Sequence, residues 1–259
     1  MISKKPPKDA GLDVARAERE IRHGQWLASQ HTEEVWGWGT PAGRLRAKRR
    51  AELILLGAAL TENSRVLEIG CGTGNFTELF AATGASILAV DISLDLLQKA
   101  RQRNLPPDRV TFCQKRFEDC DVDGPFDAII GSSILHHLDI DLAIPRIKSL
   151  LKGGGTISFA EPNMLNPQVF LERKFHRLPM FSYTSPDETA FVRWRLEKQL
   201  RQAGFESIVI RPFDWLHPST PKRMIGLVKG IGRVIEAVPI AREFSGSLYI
   251  KARLPKGRP

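Results

Sequence analysis

The chain has 259 residues and a formal net charge of +9, from 38 Lys and Arg against 29 Asp and Glu. Its composition, 42% apolar and 26% charged, is that of a globular protein and excludes a disordered or collagen-like chain. The longest clean apolar run, Leu53 to Leu60, is far short of the roughly 20 residues that a bilayer span needs. The basic N-terminus lacks the apolar segment of a signal peptide, so we expect a cytoplasmic protein.

The cysteines and the charge distribution narrow the classes further. Cys71, Cys113 and Cys120 form no C-x-x-C pair, which predicts neither a disulfide framework nor a zinc site. Residues 61–160 hold 10 positive and 13 negative side chains, a net charge of −3, whereas residues 221–259 hold 9 and 2, a net charge of +7. The basic end indicates either an anionic partner, such as nucleic acid, a phospholipid surface or a phosphorylated small molecule, or a solvated surface, and composition alone does not decide between the two.

In chain order, the first 60 residues predict helices. A polar helix is expected over residues 12–29 and a second over 44–60, with a Gly- and Pro-rich loop over 35–43 between them. Short β-type runs then alternate with helical stretches. Strands are expected at 65–69, 86–90, 109–113, 126–130 and 156–160, and helices after the first glycine cluster through 80, at 93–103 and at 139–151. This alternation predicts an open, mostly parallel sheet with helices on both faces.

After residue 160 the alternation stops. Residues 161–183 show no clear strand and form a candidate lid or substrate-facing segment or, equally, a helical decoration that covers the sheet edge; the expected fold includes them as a helical insert. Ser185-Pro186-Asp187-Glu188 matches a capping box and predicts a helix from there to about residue 203. Late strands are expected at 206–213 and 247–253, with a basic amphipathic helix at about 222–238 between them.

A glycine loop, Gly70-Cys71-Gly72-Thr73-Gly74, lies between the first strand and its helix, where backbone can approach a ligand closely. Asp91 ends the second strand and can accept hydrogen bonds from both hydroxyls of a ribose. The dinucleotide fingerprint G-x-G-x-x-G needs a glycine at 75 or 77, but Asn75 and Thr77 stand there. The spacing therefore argues against an NAD enzyme.

The segment Val66-Leu67-Glu68-Ile69-Gly70-Cys71-Gly72-Thr73-Gly74 resembles the first motif of class I S-adenosylmethionine-dependent methyltransferases, of the methyltransferase domain type 11/12 kind. The resemblance continues in order through 89–93, 126–130, 134–138 and 150–155. It implies a doubly wound, Rossmann-like α/β fold with a seven-stranded sheet whose last strand is antiparallel. It divides the chain into an N-terminal helical cap, 1–60, and a methyltransferase domain, 61–259, with an insert at about 161–186.

The resemblance also implies roles for single residues toward the cofactor S-adenosyl-L-methionine. Its methionine part would be faced by Glu68 and the glycine loop, its ribose by Asp91 and its adenine by Ile92, Phe117 and Glu118, with Asp119 second. The methyl region would be lined by Gly131 and Ser132, and Trp36, Trp38 and Arg46 would close over the remaining end. The expected cofactor-binding set is Glu68, Gly70, Cys71, Gly72, Gly74, Asp91, Ile92, Phe117, Glu118, Gly131 and Ser132.

Three side chains are candidates for proton transfer, which methylation requires only when the acceptor is protonated. His136 and His137 follow the fourth strand, and His137 matches the more regular family position, so it is the first choice. Glu161 ends the fifth strand and is a second candidate, as base or substrate anchor.

The acceptor is the least determined feature. The fourth strand leads into Gly131-Ser132-Ser133-Ile134 rather than an Asn/Asp-Pro-Pro-Tyr/Phe motif, and no RNA-binding module accompanies the core. We therefore favour a small-molecule or lipid-linked acceptor, O-methylation slightly ahead of N- or C-methylation, and peripheral contact with an anionic membrane as an option. The alternatives are a tRNA or rRNA methyltransferase using the basic flanks, and a non-catalytic S-adenosylmethionine-binding partner subunit.

Overall fold

The computed structural model describes residues 10–175, 178, 185 and 187–256. Its centre is one seven-stranded sheet with the order β3-β2-β1-β4-β5-β7-β6. The strands are β1 (Arg65–Ile69), β2 (Ser86–Asp91), β3 (Val110–Gln114), β4 (Phe126–Ser132), β5 (Leu151–Pro162), β6 (Glu206–Phe213) and β7 (Ser247–Arg253). The first five run parallel, and β7 lies antiparallel to both β5 and β6. The predicted doubly wound methyltransferase-type sheet is confirmed.

The helices form layers on both faces of this sheet. They are α1 (Ala10–Ser29), α2 (Thr32–Val35), α3 (Pro41–Ala58), α4 (Asn75–Ala81), α5 (Leu94–Arg101), α6 (Ile140–Leu150), α7 (Pro167–Lys174), α8 (Arg193–Gln202), α9 (Ile225–Ala237) and α10 (Pro239–Arg242). The apolar sides of α6 and α8 share one core cluster with β1, β4 and β5, and those of α3, α4 and α5 share the other. Because helices cover both faces of the sheet, its central strands are buried on both sides, and β4 has no exposed residue.

Local sequence signals account for most helix starts. The side chains of Thr40, Ser93, Asp139 and Asn166 each accept a hydrogen bond from a backbone N–H in the first turn of the helix that follows. Such caps satisfy N–H groups that the helix itself leaves without partners.

The N-terminal helices share the core of the sheet. Ala51 and Ile54 of α3 are buried in the same cluster as Val66 and Ala128. Gly24 of α1 lies so close to α5 that an added Cβ would be 2.6 Å from Ser93 Oγ. The boundary at residue 60 remains a prediction, but α3 is a layer of the α/β sandwich.

Two local predictions differ from the structure. Strand β5 begins at Leu151 and includes Gly153–Gly155, which were expected to lie between the helix and the strand. The insert contains the helix α7, as the prediction of a helical insert expects, and Phe181 and Tyr183 lie outside the described residues. Helix α8 begins at Arg193 rather than at the capping box. Glu188 Oε1 does accept a hydrogen bond from Ser185 N at 2.7 Å, as in a capping box, but Glu188 Oε2 pairs with Arg173.

No helix within the described ranges is both long and apolar enough to cross a membrane.

Candidate active site

A cavity of about 320 Å³ lies at the carboxyl ends of β1, β2, β3 and β4. Its wall comes from the loops after these strands, from α1, and from the segment around Trp36 and Trp38. In an open α/β sheet this edge is where ligands bind, because the loops after neighbouring parallel strands open there.

The glycine loop forms one wall of the cavity. Gly70, Gly72 and Gly74 have φ angles of +65°, +52° and +74°, which glycine adopts without strain. A Cβ on Gly70 would lie 2.3 Å from Ile134, and one on Gly72 would lie 3.0 Å from the Trp36 ring. The loop therefore leaves a cradle of backbone that a side chain would fill. Gly70, Cys71 and Gly72 line the cavity, whereas Gly74 caps α4.

Asp91 lies in the same wall, at the end of β2. Its Oδ2 accepts a hydrogen bond from Gly72 N and its Oδ1 one from Ser93 N, both at 2.8 Å. Burial raises the pKa of this carboxyl, while the two backbone donors act in the opposite direction. Ile92 lines the cavity beside it. The carboxylate is thus held rigidly, with its remaining lone pairs available to a ligand.

Glu68 lies behind the glycine loop and does not line the cavity. The side chain is 1% exposed, and its Oε2 makes no hydrogen bond to any described residue. Burial raises the pKa of this carboxyl to about 8. A buried acid with an unbonded Oε2 beside a backbone cradle suits a cationic group, and S-adenosyl-L-methionine carries both an ammonium and a sulfonium. These residues therefore fit that cofactor.

The expected adenine side of the cavity is formed after β3. Phe117 is buried and lines the cavity together with Glu118, whose Oε1 accepts a long hydrogen bond, 3.4 Å, from Asp139 N. Arg116 Nε lies 3.5 Å from Glu118 Oε2. Asp119 is mostly exposed and is not part of the lining.

Ser132 and the tryptophan loop, which is the segment 35–43 that carries Trp36 and Trp38, also line the cavity. Ser132 Oγ is buried and has no hydrogen-bond partner among the described residues. Gly131 is not in the lining, and a Cβ there would lie 2.8 Å from Ile69 O. Trp36 and Trp38 line the cavity, but Arg46 instead pairs with Asp214 at 2.8 Å.

His136 lies at the other end of the cavity, after β4. The ring is 3% exposed, and its Nδ1 lies 2.7 Å from Glu161 Oε2. Glu161 is fully buried behind it and also accepts hydrogen bonds from Ile134 N and Leu135 N. Burial raises the pKa of Glu161 to about 7 and holds the pKa of His136 well below its usual value. Glu161 does not line the cavity, so in this arrangement its role is to orient the ring of His136.

His137 is surrounded by carboxylates. Its Nδ1 lies 3.1 Å from Glu20 Oε2, and Arg16 Nη2 donates to its carbonyl oxygen at 2.5 Å. Burial alone would lower its pKa, but Glu188 and Glu20 outweigh this and raise it to about 9. The ring is therefore protonated at neutral pH and must lose that proton before it can accept one. The role of His137 as a base stays a prediction.

Four residues of this end were not identified from the sequence. Glu20 and Arg16 come from α1, Glu188 from the segment before α8, and Arg173 from α7. Arg173 Nη1 lies 2.7 Å from Glu188 Oε2. Glu188 carried a signal, the capping box, that pointed to a different use. Nothing in the spacing of the others connects them to the histidines.

Comparison with known proteins agrees with this arrangement. Residues 66–155 match a family described as a methyltransferase domain. The chain is 33% identical over 133 residues to a ubiquinone biosynthesis O-methyltransferase of Xanthomonas campestris pv. campestris (strain B100), covering 49% of this chain and 56% of the relative. It is 38% identical over 106 residues to a malonyl-[acyl-carrier protein] O-methyltransferase of Magnetococcus marinus, covering 39% of each. The chain thus spans about half the length or less of these relatives.

One solved structure extends the likeness to nearly the whole chain. The N-methyltransferase NodS from Bradyrhizobium japonicum WM9, in complex with S-adenosyl-l-homocysteine, superposes with a TM-score of 0.61 at 17% identity. The superposition covers 92% of this chain and 99% of that one. At this identity the likeness concerns the fold. With the motifs, the sheet order and the match over residues 66–155, the chain contains a methyltransferase domain on the class I methyltransferase fold, and its site residues fit the cofactor S-adenosyl-L-methionine.

Proposed function

We propose that the protein methylates an oxygen atom of a small-molecule or lipid-linked acceptor while docked on an anionic membrane surface. The observation that carries this proposal is the face of α9. On this helix and the segments directly before and after it, large apolar side chains are exposed. They are Met224, Leu227, Ile231, Val234, Val238, Ile240 and Phe244.

Packing against the sheet is the commoner fate of such a helix, but α9 contributes little to the core. Within it only Ile225 and Gly232 are buried, whereas Leu227 is 61% exposed and Val234 67%. Exposed cationic side chains are also present on α9 and in the turn before it, namely Lys222, Arg223, Lys229 and Arg233, with Lys229 and Arg233 on the other side of the helix from the apolar face. Apolar residues beside lysine and arginine are the composition of helices that lie in the interface of anionic bilayers. Charge complementarity thus favours a membrane as the occupant.

The loop that precedes α9 lies against the elements that enclose the cavity. Thr40, next to the tryptophan loop, donates a hydrogen bond to Pro218 O at 2.7 Å. Gln168 Nε2 on α7 lies 3.1 Å from His217 Nε2. The same helix α7 supplies Arg173 to the cavity and leaves Phe170 46% exposed. An acceptor with an apolar tail would therefore meet exposed apolar surface next to the cavity.

The names of the relatives support an oxygen acceptor. Both curated relatives described above are called O-methyltransferases, one acting in ubiquinone biosynthesis and one on malonyl-[acyl-carrier protein]. The first pathway name refers to an apolar product, which agrees with the exposed apolar surfaces. The N-methyltransferase likeness is at the level of fold alone.

In this proposal the chain's own residues position the reactants and move one proton. When bound, the cofactor supplies a methyl group that leaves its sulfur as the acceptor oxygen bonds to it, with the electron pair of the broken bond left on sulfur. Cavity walls that exclude water and align the acceptor supply much of the acceleration. The hydroxyl proton leaves toward the uncharged ring of His136, or toward His137 once that ring has lost its own proton; both line the end of the cavity after β4.

The test combines labelled methyl transfer with membrane binding. Purified protein and labelled cofactor are incubated with lipid, RNA and small-molecule fractions of a cell extract, and we expect label in the lipid or small-molecule fraction. The protein is also sedimented with phosphatidylglycerol vesicles and with neutral phosphatidylcholine vesicles. Leu227→Asp with Val234→Asp is expected to abolish sedimentation with the anionic vesicles. Leu56→Asp, at a 75% exposed site on α3, is the matched control.

Several outcomes would contradict the proposal. Label in RNA, together with retention on heparin that moderate salt removes, would indicate a nucleic-acid methyltransferase. Equal sedimentation of the double variant and the control would remove α9 as the docking surface. Cofactor binding without label in any fraction would favour a non-catalytic subunit.

A further inference from the structure

His136, His137 and Glu188 form a cluster at the end of the cavity whose geometry the methyltransferase fold does not require. One nitrogen or oxygen atom from each lies within 4.8 Å of those of the other two. His136 Nε2 is 3.8 Å from Glu188 Oε2, and His137 Nε2 is 4.0 Å from Glu188 Oε1. These separations are too long for hydrogen bonds. Both rings therefore direct a nitrogen toward the same carboxylate without bonding to it.

We propose that His136, His137 and Glu188 bind a divalent transition-metal ion of the zinc class. Zinc bonds to histidine nitrogen and carboxylate oxygen are about 2.0–2.2 Å long, so two atoms that share one ion lie at most about 4.2–4.4 Å apart. The two measured separations lie inside this limit. Two histidines and one carboxylate are also a donor set of catalytic zinc sites, which keep a position open for substrate.

The surroundings of the rings support this assignment independently. A metal-binding histidine usually donates its other ring N–H to a carboxylate, which fixes the ring and directs the free nitrogen to the metal. Here both rings have that arrangement. His136 Nδ1 lies 2.7 Å from Glu161 Oε2, and His137 Nδ1 lies 3.1 Å from Glu20 Oε2. Glu161 and Glu20 are thus positioning residues; the Nε2 of His136 is left for a ligand, and the ion would displace the proton from the Nε2 of His137.

Glu188 already has two partners, and each leaves room for an ion. Its Oε1 accepts a hydrogen bond from Ser185 N, and its Oε2 pairs with Arg173. Each carboxylate oxygen has a second lone pair, so neither contact saturates it. Three glutamates, Glu20, Glu161 and Glu188, surround the two rings. A dication would balance this concentration of carboxylates better than Arg173 alone.

The place of the cluster gives the ion a role that rests on the proposed function. All three ligands line the cavity after β4, where the methyl region is expected. An ion there would hold an acceptor hydroxyl near the methyl group and favour loss of its proton, as a Lewis acid does. Because the cluster contains no cysteine, it is distinct from the cysteine-rich zinc sites that the sequence excludes.

Metal binding is measured on the whole protein after removal of metal with a chelator. Zn²⁺ is titrated in competition with a chromophoric chelator, and Co²⁺ binding is followed by visible absorption. We expect one equivalent per chain and a Co²⁺ spectrum without a sulfur charge-transfer band. Glu188→Gln and His136→Ala are each expected to weaken Zn²⁺ binding by about 100-fold or more. Glu161→Gln, one shell further out, is expected to weaken it by about 10–100-fold.

The matched control is His31→Ala, because His31 is an exposed histidine outside the cluster, and its Zn²⁺ binding should equal that of the wild type. Circular dichroism and cofactor binding verify that each variant is folded. Absence of Zn²⁺ binding by the folded protein would overturn the proposal. Unchanged binding in Glu188→Gln would do the same, as would a sulfur band that points to a cysteine.

The metal-binding measurements contain no methyl acceptor, so their result can be interpreted even if the proposed function is wrong. The role of the ion is tested separately. Chelation should stop methyl incorporation while leaving cofactor binding intact, and added Zn²⁺ should restore it. Methyl incorporation that survives complete removal of the metal would overturn this role.

Discussion

The two ends of the cavity hold their charged groups in different ways. At the cofactor end, Asp91 accepts hydrogen bonds from two backbone N–H groups. One is that of Ser93, two residues further along the chain, and the other is that of Gly72, in the glycine loop after β1. At the other end, His136 is held by the side chain of Glu161 and His137 by that of Glu20, and Glu188, from a third segment, lies within about 4 Å of both rings.

This difference has a physical consequence. Backbone donors are present in any sequence that forms the turn, so the cofactor end depends on the glycines and on one carboxylate. The other end requires α1, β5 and the segment before α8 to pack correctly before its charges balance. If the histidine end binds the acceptor as proposed, we expect acceptor specificity to respond to distant substitutions that leave cofactor binding intact. The following predictions separate the two ends.

The largest expected effect is at Asp91. Replacing it with alanine removes the acceptor of two backbone hydrogen bonds and the expected ribose contact. We expect Asp91→Ala to weaken S-adenosylmethionine binding by about 100-fold or more, since hydrogen bonds to charged groups are each worth about 1.5–3 kcal/mol. Isothermal titration calorimetry measures the change. Asp108→Ala, at an exposed aspartate, is the control, and equal affinities in the two variants would disprove the assignment.

At the other end, His137→Ala should retain cofactor binding and lose turnover. The expected fall is about 100-fold or more, the range for loss of a proton-transferring or orienting group. Turnover is measured with the acceptor fraction identified by labelling, and the dissociation constant of the cofactor should change less than about threefold, because no contact to the glycine loop is removed. Unchanged turnover would exclude His137 from the mechanism.

These two ends also differ in how far the sequence predicted them. The glycine loop, Asp91 and the sheet follow from short motifs, because a strand, a tight turn and a helix start are decided by neighbouring residues. Helix α8 was placed too early because Ser185 and Glu188 form the hydrogen bond of a capping box without a helix after it. Glu188 pairs with Arg173 and lies near the two histidines. These contacts join residues that are far apart in the sequence, so no local pattern reveals them.

The cofactor end should also show a pH dependence that originates at Glu68. Its raised pKa, about 8 against an ordinary 4.5, means that the unbound protein keeps this carboxyl protonated at neutral pH. A cationic ligand favours the carboxylate, so binding should release a proton. Affinity should then rise with pH, by at most about tenfold per pH unit, and level off above about pH 8. Calorimetry in buffers of different ionisation enthalpy counts the proton.

Glu68→Gln is the matched variant for that measurement, since it keeps the shape and cannot titrate. Its affinity should be weaker and independent of pH over this range. The free energy of unfolding of the wild type should change with pH in the opposite sense to its cofactor affinity. An acid whose pKa is raised by folding costs stability as pH rises from about 4.5 to 8, so the variant should gain stability over the wild type in that window. A pH-dependent affinity that persists in Glu68→Gln would assign the proton to another group.

The smallest expected effect concerns glycines, which serve opposite purposes in two parts of the chain. Gly72 needs its positive φ and its open space, whereas Gly230 lies in α9 with nothing within 4 Å of an added Cβ. Gly230→Ala should therefore stabilise the protein by about 0.5–1 kcal/mol, because alanine loses less backbone entropy in a helix. Thermal unfolding measures this gain, and cofactor affinity should stay unchanged. Gly72→Ala should instead weaken cofactor binding, because its Cβ would enter the cradle beside Trp36. If Gly230→Ala destabilised the protein, α9 would not be a regular helix in solution, and its apolar face could not serve as a membrane-docking surface.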